Sequence, residues 1–294
     1  MTSRRDFIKK SMQATSLIGI SGIPPLLDKK RTQITILHTN DIHGHLDAFA
    51  SSHPNFANRG GLSKRMEYIT NARKQNTNLL LLDAGGFFQA KPFYQKANKT
   101  IISSMNALAY DAVTLGNQDF DIGLDILNKQ LEDAKFNVVQ SNYTIINKTL
   151  QKKLKPYKIY QKPGIRIGIF GIGNTTLETA ELSCKNPLKT AKHISTILKI
   201  EEQCDLIICL SHLGYQHRNA QLSDTILAQE TKYIDLIIGG YTHTLLKKPI
   251  TLKNKLGKNT LINQVAWGGL YLGEIHFYFD ENKNWQATGK AIAL

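Results

Sequence analysis

Short apolar runs that end in polar, chemistry-bearing clusters recur along this chain. Residues 32–38 read as a strand ending in Thr39-Asn40-Asp41-Ile42-His43-Gly44-His45. An unbroken leucine run at 79–82, the pattern of a strand covered on both faces, leads into Asp83-Ala84-Gly85-Gly86. The apolar run at 112–115 ends in Gly116-Asn117-Gln118-Asp119, 206–210 in Ser211-His212-Leu213-Gly214, and 234–238 in Gly239-Gly240-Tyr241-Thr242-His243. Helical periodicity fills the spaces between them: 62–75 carries Leu62, Met66 and Ile69 on one stripe, and 99–109 carries Ile102, Met105 and Leu108. Further helices are predicted over 121–134, 187–203 and 221–231, with a strand at 137–140 and an antiparallel pair, 158–161 and 166–171, across Pro163-Gly164. Toward the end the pattern alternates, at 261–265 and 270–279 around a Trp267-Gly268-Gly269 turn. Two strand–helix series followed by hairpins predict an α/β fold of two stacked sheets with helices outside. Five strand-end clusters of Asp, Asn and His then belong to one site.

The first thirty residues stand apart. Ser3-Arg4-Arg5-Asp6-Phe7-Ile8-Lys9-Lys10 precedes a short, Ser/Gly-rich apolar segment from Met12 to Leu27, too short and polar for a stable transmembrane helix. Paired arginines followed by Phe-Ile-Lys resemble a twin-arginine export signal, so residues 1–30 are assigned as a leader and the protein to the periplasm or an otherwise exported location. No clear cleavage box fixes the mature start.

Composition changes little in this picture. The chain of 294 residues is 41% hydrophobic and 20% charged, enough to bury a full core in one domain. Residues 1–30 hold six basic and two acidic side chains, so the formal excess of +14 falls to +10 over the remainder. That balance suits anionic small molecules, phosphate headgroups or an acidic partner, while the scattered lysines and lack of a recognisable motif argue against nucleic acid. Cys184, Cys204 and Cys209 are too few and wrongly spaced for a zinc knot. Cys209 reads as a small core hydrophobe, and oxidation of one pair stays open.

Asp41 and His43, two residues apart on a strand-end turn, point a carboxylate and an imidazole at one place, as a metal ligand pair or as a hydrogen-bonded turn. Their company decides what they resemble. Thr39-Asn40-Asp41-Ile42-His43-Gly44, Gly60-Gly61-Leu62-Ser63-Lys64, Leu81-Leu82-Asp83-Ala84-Gly85, Gly116-Asn117 and Gly239-Gly240 resemble, in that order, the metallophosphoesterase domain of bacterial 5'-nucleotidases, over residues 33–293. The resemblance implies a four-layer α/β/β/α sandwich over 31–294 and hydrolysis of phosphoric esters such as nucleotides. It also implies two divalent metals, about 3.5–4 Å apart, that polarise the phosphate and activate a bridging water. Family members usually add a C-terminal nucleoside-binding domain; 31–294 offers none, so such a domain is expected as a separate partner or not at all.

The resemblance assigns Asp41, His43 and His243 to the first ion, and Asn117, His212 and position 241 to the second. It puts a bridging carboxylate at position 86 and a catalytic imidazole at 118. Here those positions are Tyr241, Gly86 and Gln118. A Gln donates a hydrogen bond but carries no positive charge and gives up no proton. Asn117 and His212, both neutral, are expected to hold a second ion poorly. The expectation is therefore one ion, Zn or Mn, impaired hydrolysis and no assigned catalytic residue. The alternative is a non-catalytic protein that binds a ligand, an active paralogue or a separate nucleoside-binding domain. His45 is a weak candidate for contact with substrate phosphate, and Phe87, Phe88, Phe93 and Tyr94 for a pocket or a docking surface.

Overall fold

The computed structural model describes residues 31–88, 94–219 and 221–294, and of residues 94–99 the backbone alone. The first strand–helix series comprises β1 (Thr32–Thr39), β2 (Leu79–Asp83), β3 (Ala112–Val113), β4 (Asn137–Val139), β5 (Tyr143–Ile145) and β6 (Leu154–Lys155). The second comprises β7 (Tyr157–Lys162), β8 (Ile165–Gly173), β9 (Leu182–Cys184), β10 (Leu206–His212) and β11 (Leu236–Gly239). Two hairpins close the chain: β12 (Ile250–Lys253) with β13 (Asn259–Asn263), and β14 (Tyr271–Phe279) with β15 (Trp285–Ala293).

These strands form a seven-stranded sheet in the order β15-β14-β1-β2-β3-β4-β6 and a six-stranded sheet in the order β12-β13-β11-β10-β8-β7. The strands β1, β2, β3, β4 and β6 run parallel, as do β8, β10, β11 and β13, so their C-terminal ends gather at one edge of the sandwich. A small β5–β9 ribbon stands outside both sheets.

Continuous apolar strands follow from this layering, because the two faces of each parallel strand pack against different layers. In β2, Leu80 and Leu82 enter the space between the sheets while Leu79 and Leu81 face the helices outside. In β10, Leu206, Ile208 and Leu210 face the other sheet, and Ile207 and Cys209 face helices. The outer helices are α1 (Leu62–Gln75) and α2 (Tyr94–Ala107) on the first sheet, α6 (Pro187–Thr196) and α7 (Asp224–Glu230) on the second. Between the two pairs in sequence come α3 (Asn117–Phe120), α4 (Leu124–Gln130) and α5 (Lys148–Lys153). The expected α/β/β/α sandwich is present. Each fully buried leucine contributes about 1.5–3 kcal/mol to it.

Several elements differ from the sequence reading, three of them for reasons visible in the backbone or the pairing. Of the helix expected over 121–134 only the short α4 forms, entered at Gly123, whose φ of 88° separates it from α3, which ends at Phe120 before the expected start. The helix expected over 187–203 turns from α to a π segment at Ile197–Glu201. Residues 285–293, given no element from the sequence, form β15, paired along the whole of β14. All three cysteines are free, and among the described residues no helix is long and apolar enough to cross a membrane. The leader assigned to residues 1–30 lies outside the described residues.

Candidate metal centre

The loops after β1, β2, β10 and β11 meet at the edge where the parallel strands end. Two of them are strained. Asp41 and His43 have φ of 50°, and Tyr241 and His243 have φ of 77° and 53°, so four of the nine described non-glycine residues with positive φ sit in these two turns. Left-handed backbone costs an L-residue about 1–3 kcal/mol and persists only where surrounding structure imposes it. Here that structure is visible: Asp41, His43 and Gly44 donate their N–H groups to the carbonyls of Gly85, Gly86 and Phe87, and Gly268 donates to the Asp41 carbonyl.

Asp41 is the centre of the arrangement and is buried. Its Oδ2 accepts from Asn40 Nδ2 (2.8 Å) and from the Tyr241 N–H (3.0 Å). Asn40 is itself clamped, donating to Ala266 O and accepting from the Val265 N–H. Asp41 Oδ1, which shares the Tyr241 N–H at 3.2 Å, faces three imidazole nitrogens, Nε2 of His43 at 3.8 Å, of His212 at 3.7 Å and of His243 at 3.7 Å.

Of the three imidazoles, His212 is set up as a lone-pair donor. Buried His212 gives its Nδ1 proton to Ala84 O at 2.7 Å, which leaves Nε2 unprotonated in the neutral ring. Burial holds its pKa below the usual histidine value, and burial together with the neighbouring His243 and His212 holds His43 down to about 3. His43 Nε2 and His243 Nε2 lie 3.0 Å apart. Burial pushes the Asp41 carboxyl up to about 6, against the opposing pull of Asn40, His243 and the Tyr241 N–H. A dication would offset the buried carboxylate and could take the place of the proton shared between His43 Nε2 and His243 Nε2. Ligand atoms of Asp41, His43 and His243 all lie within 4.8 Å of one another, and a carboxylate with neutral imidazoles is a donor set suited to zinc or manganese.

The opposite flank of Asp41 is built differently. Gly86 faces the centre: a Cβ there would stand 2.9 Å from Asp41 Oδ1 and 3.2 Å from His212 Cε1, at a φ of 74°. A Cβ on Gly116 would fall 2.5 Å from His212 Nε2, so that loop approaches the ring through a glycine. Asn117 and Gln118, half-buried at the start of α3, have no side-chain hydrogen-bond partner among the described residues. Tyr241 presents its ring edge-on to His212 and His217, with centroids 5.8 and 6.1 Å away, while its N–H holds Asp41.

Supporting residues escaped the sequence reading. Fully buried Asp119 accepts from the N–H groups of Gly86 (2.8 Å), Phe88 (2.9 Å) and Gly116 (2.7 Å), tying two loops together although burial pushes its own pKa up to about 6. Its only advance signal was its place at the end of the Gly116-Asn117-Gln118-Asp119 cluster. Asp83 is buried and turned away, bonded to Thr39 Oγ1 and the Gly85 N–H. The Trp267 ring stacks on His243 at 5.9 Å. His45 stacks on Phe49 at 4.7 Å and lies edge-on to Trp267, beside the cluster rather than in it. The aromatic docking surface is corrected for half its members: Phe87 and Phe88 are fully buried, packed on each other in the core under α2. Phe93 and the Tyr94 side chain lie outside the described residues.

Two stacked sheets with Asp and His side chains converging at the strand ends are the layout of a metallophosphoesterase. The sequence model of the calcineurin-like phosphoesterase family matches residues 34–245, and the chain belongs to that family, whose members use divalent metal. It is 30% identical over 288 residues to the trifunctional nucleotide phosphoesterase protein YfkN of Bacillus subtilis, covering 84% of this chain and 18% of that one. It is also 30% identical to the snake venom 5'-nucleotidase of Naja atra, covering 89% and 53%. Among solved structures, the 5'-nucleotidase precursor from Thermus thermophilus superimposes with a TM-score of 0.81 at 27% identity, over 90% of this chain and 55% of that one. The chain thus spans about half or less of these relatives' lengths.

Proposed function

We propose that this chain is an exported metallophosphoesterase-fold protein that binds a phosphorylated small molecule, such as a nucleotide, through one divalent ion held by Asp41, His43 and His243. Two-metal hydrolysis of the ester is impaired. The observation that carries this reading is the asymmetry about Asp41: two imidazole nitrogens 3.0 Å apart on one flank, Gly86 on the other where a side chain would point between Asp41 and His212. His212 and Asn117 remain as neutral ligands for a second ion, with no additional carboxylate to offset two dications. Gln118 replaces an imidazole where the family resemblance puts the group that stabilises the phosphate. When bound, the ion supplies Lewis-acid contact to a phosphoryl oxygen. Asp41 fixes the charge of the site, and His43 and His243 fix its position. The nucleotidase and nucleotide phosphoesterase names of the relatives support the substrate class. Ser3-Arg4-Arg5-Asp6-Phe7-Ile8-Lys9-Lys10 supports export, to be tested by fractionating cells that express the chain with Arg4 and Arg5 changed to Lys; retention of that variant in the cytoplasm is the expected result.

The test of the function is restoration. Gly86→Asp, Gln118→His and Tyr241→His made together should raise phosphatase activity on a nucleoside monophosphate by about 10²–10⁴-fold, the usual contribution of a positioned acid–base group. A thermal melt alongside the assay reports whether Asp41 and His212 have made room for the new side chain at position 86. A folded triple variant that takes up two ions and stays inert would overturn the assignment of these positions.

A further inference from the structure

At the end of the sandwich opposite the metal centre, a cleft of about 590 Å³ opens between the tips of the two closing hairpins. One tip, between β12 and β13, brings Lys253 and Lys258; the other, between β14 and β15, brings Lys283 and Trp285; Lys199 approaches from the π segment. The floor is formed by Asp205 and Asp235, each just ahead of a parallel strand. β10 spans seven residues from this end to His212, which sets the cleft about 20 Å from the metal loops.

The charge in this cleft is not cancelled. Four ammonium groups line it with two carboxylates, of which Asp205 pairs with Lys283 and Asp235 feels Lys199 and Lys258, leaving an excess of two positive charges. Asp205 accepts from the Arg166 N–H at 2.8 Å and pairs with Lys283 at 2.9 Å. Asp235 accepts from the Ile207 N–H at 2.8 Å and from Trp285 Nε1 at 3.3 Å. Lys253 donates to Asn259 Oδ1 (2.7 Å) and Lys199 to Cys204 O (3.1 Å), neutral oxygens that hold the ammoniums in place without neutralising them. Among the described residues Lys283 alone of the four is in an ion pair, and Lys258 has no side-chain hydrogen bond. A concave surface with fixed excess positive charge concentrates polyvalent anions.

We propose that this cleft is an anion site, separate from the metal centre, for a small molecule carrying two or more linked phosphate groups, either free or as the phosphate chain of a nucleotide. Linked phosphates offer several charged oxygens to lysines that stand on different hairpin tips, which a single phosphate does not. Two lysines on the β12–β13 tip and one on the β14–β15 tip would then share one ligand.

Calorimetric titration of the whole chain with inorganic triphosphate tests this, with Asp41→Ala introduced to remove the metal site from the reading. Binding should persist in Asp41→Ala. Adding Lys253→Gln and Lys258→Gln should weaken it by about tenfold and flatten its salt dependence. Lys253→Arg with Lys258→Arg should retain it. Inorganic phosphate should bind more weakly than triphosphate. ATP binding as tightly as triphosphate identifies a free phosphate chain as the ligand, and tighter ATP binding identifies a nucleotide. Absence of binding in Asp41→Ala, or unchanged affinity in a folded Gln variant, overturns the proposal.

Discussion

The two flanks of Asp41 share one backbone and carry different side chains. On one, His43 and His243 stand on strained turns with their Nε2 atoms 3.0 Å apart. On the other, Tyr241 keeps a left-handed φ of 77° and gives its N–H to Asp41, and Gly86 still turns toward the centre, yet neither contributes an imidazole or a carboxylate. The loops of the second flank are held by residues that do not need the chemistry: Asp119 through three backbone N–H groups, and Asn40 through Asp41, Ala266 and Val265. Main-chain geometry on this flank is therefore held independently of any metal ligand, and metal affinity must be argued from side chains alone.

The largest effect expected is on the flank with the imidazoles. Asp41→Ala should weaken divalent metal binding by at least about 100-fold, since changes one shell further out already cost 10–100-fold; competition with a chromophoric chelator reads it directly. Asp119→Ala strikes the scaffold that both flanks share. Three buried N–H groups lose a charged acceptor, and unfolding in denaturant should show a loss of about 3 kcal/mol.

A smaller effect separates the metal edge from the outer sheet face. There Glu274 is held down to about 2 by His276, with Lys290 3.3 Å away. Because its folded pKa lies below its unfolded value, the stability it adds is present above about pH 4.5 and is lost as pH falls toward 2. Glu274→Gln should flatten that acid limb by about 1–2 kcal/mol while metal affinity stays unchanged. Smallest of all, Gln118→Ala and Tyr241→Phe should leave metal affinity within about twofold, since Tyr241 reaches Asp41 through its backbone. A larger loss in either would mean that the second flank carries an ion.

The layering was legible because burial on both faces leaves an unbroken apolar strand, as Leu79 to Leu82 and Leu206 to Leu210 show. The β15 strand was not, since Gln286, Thr288 and Lys290 alternate with small residues on a half-exposed edge and carry little hydrophobic signal. At the site, Asp41, His43, His212 and His243 were candidates from strand-end position and resemblance, and the structure brings their three imidazoles and one carboxylate together. Asp119 and Trp267 were missed because their roles, clamping loops from 31 and 33 residues away and stacking on His243, exist only after the loops converge. Phe87 and Phe88 misled for the opposite reason: a cluster of aromatics beside a polar motif is also what a core needs when a loop turns back beneath a helix.

Metal content per chain tests the account most directly. Protein purified from its own host without chelator, and analysed by elemental mass spectrometry, should carry one tightly held divalent ion, lost in Asp41→Ala. Two tightly held ions would contradict the account and mean that the second flank has been rebuilt around Gly86 and Tyr241.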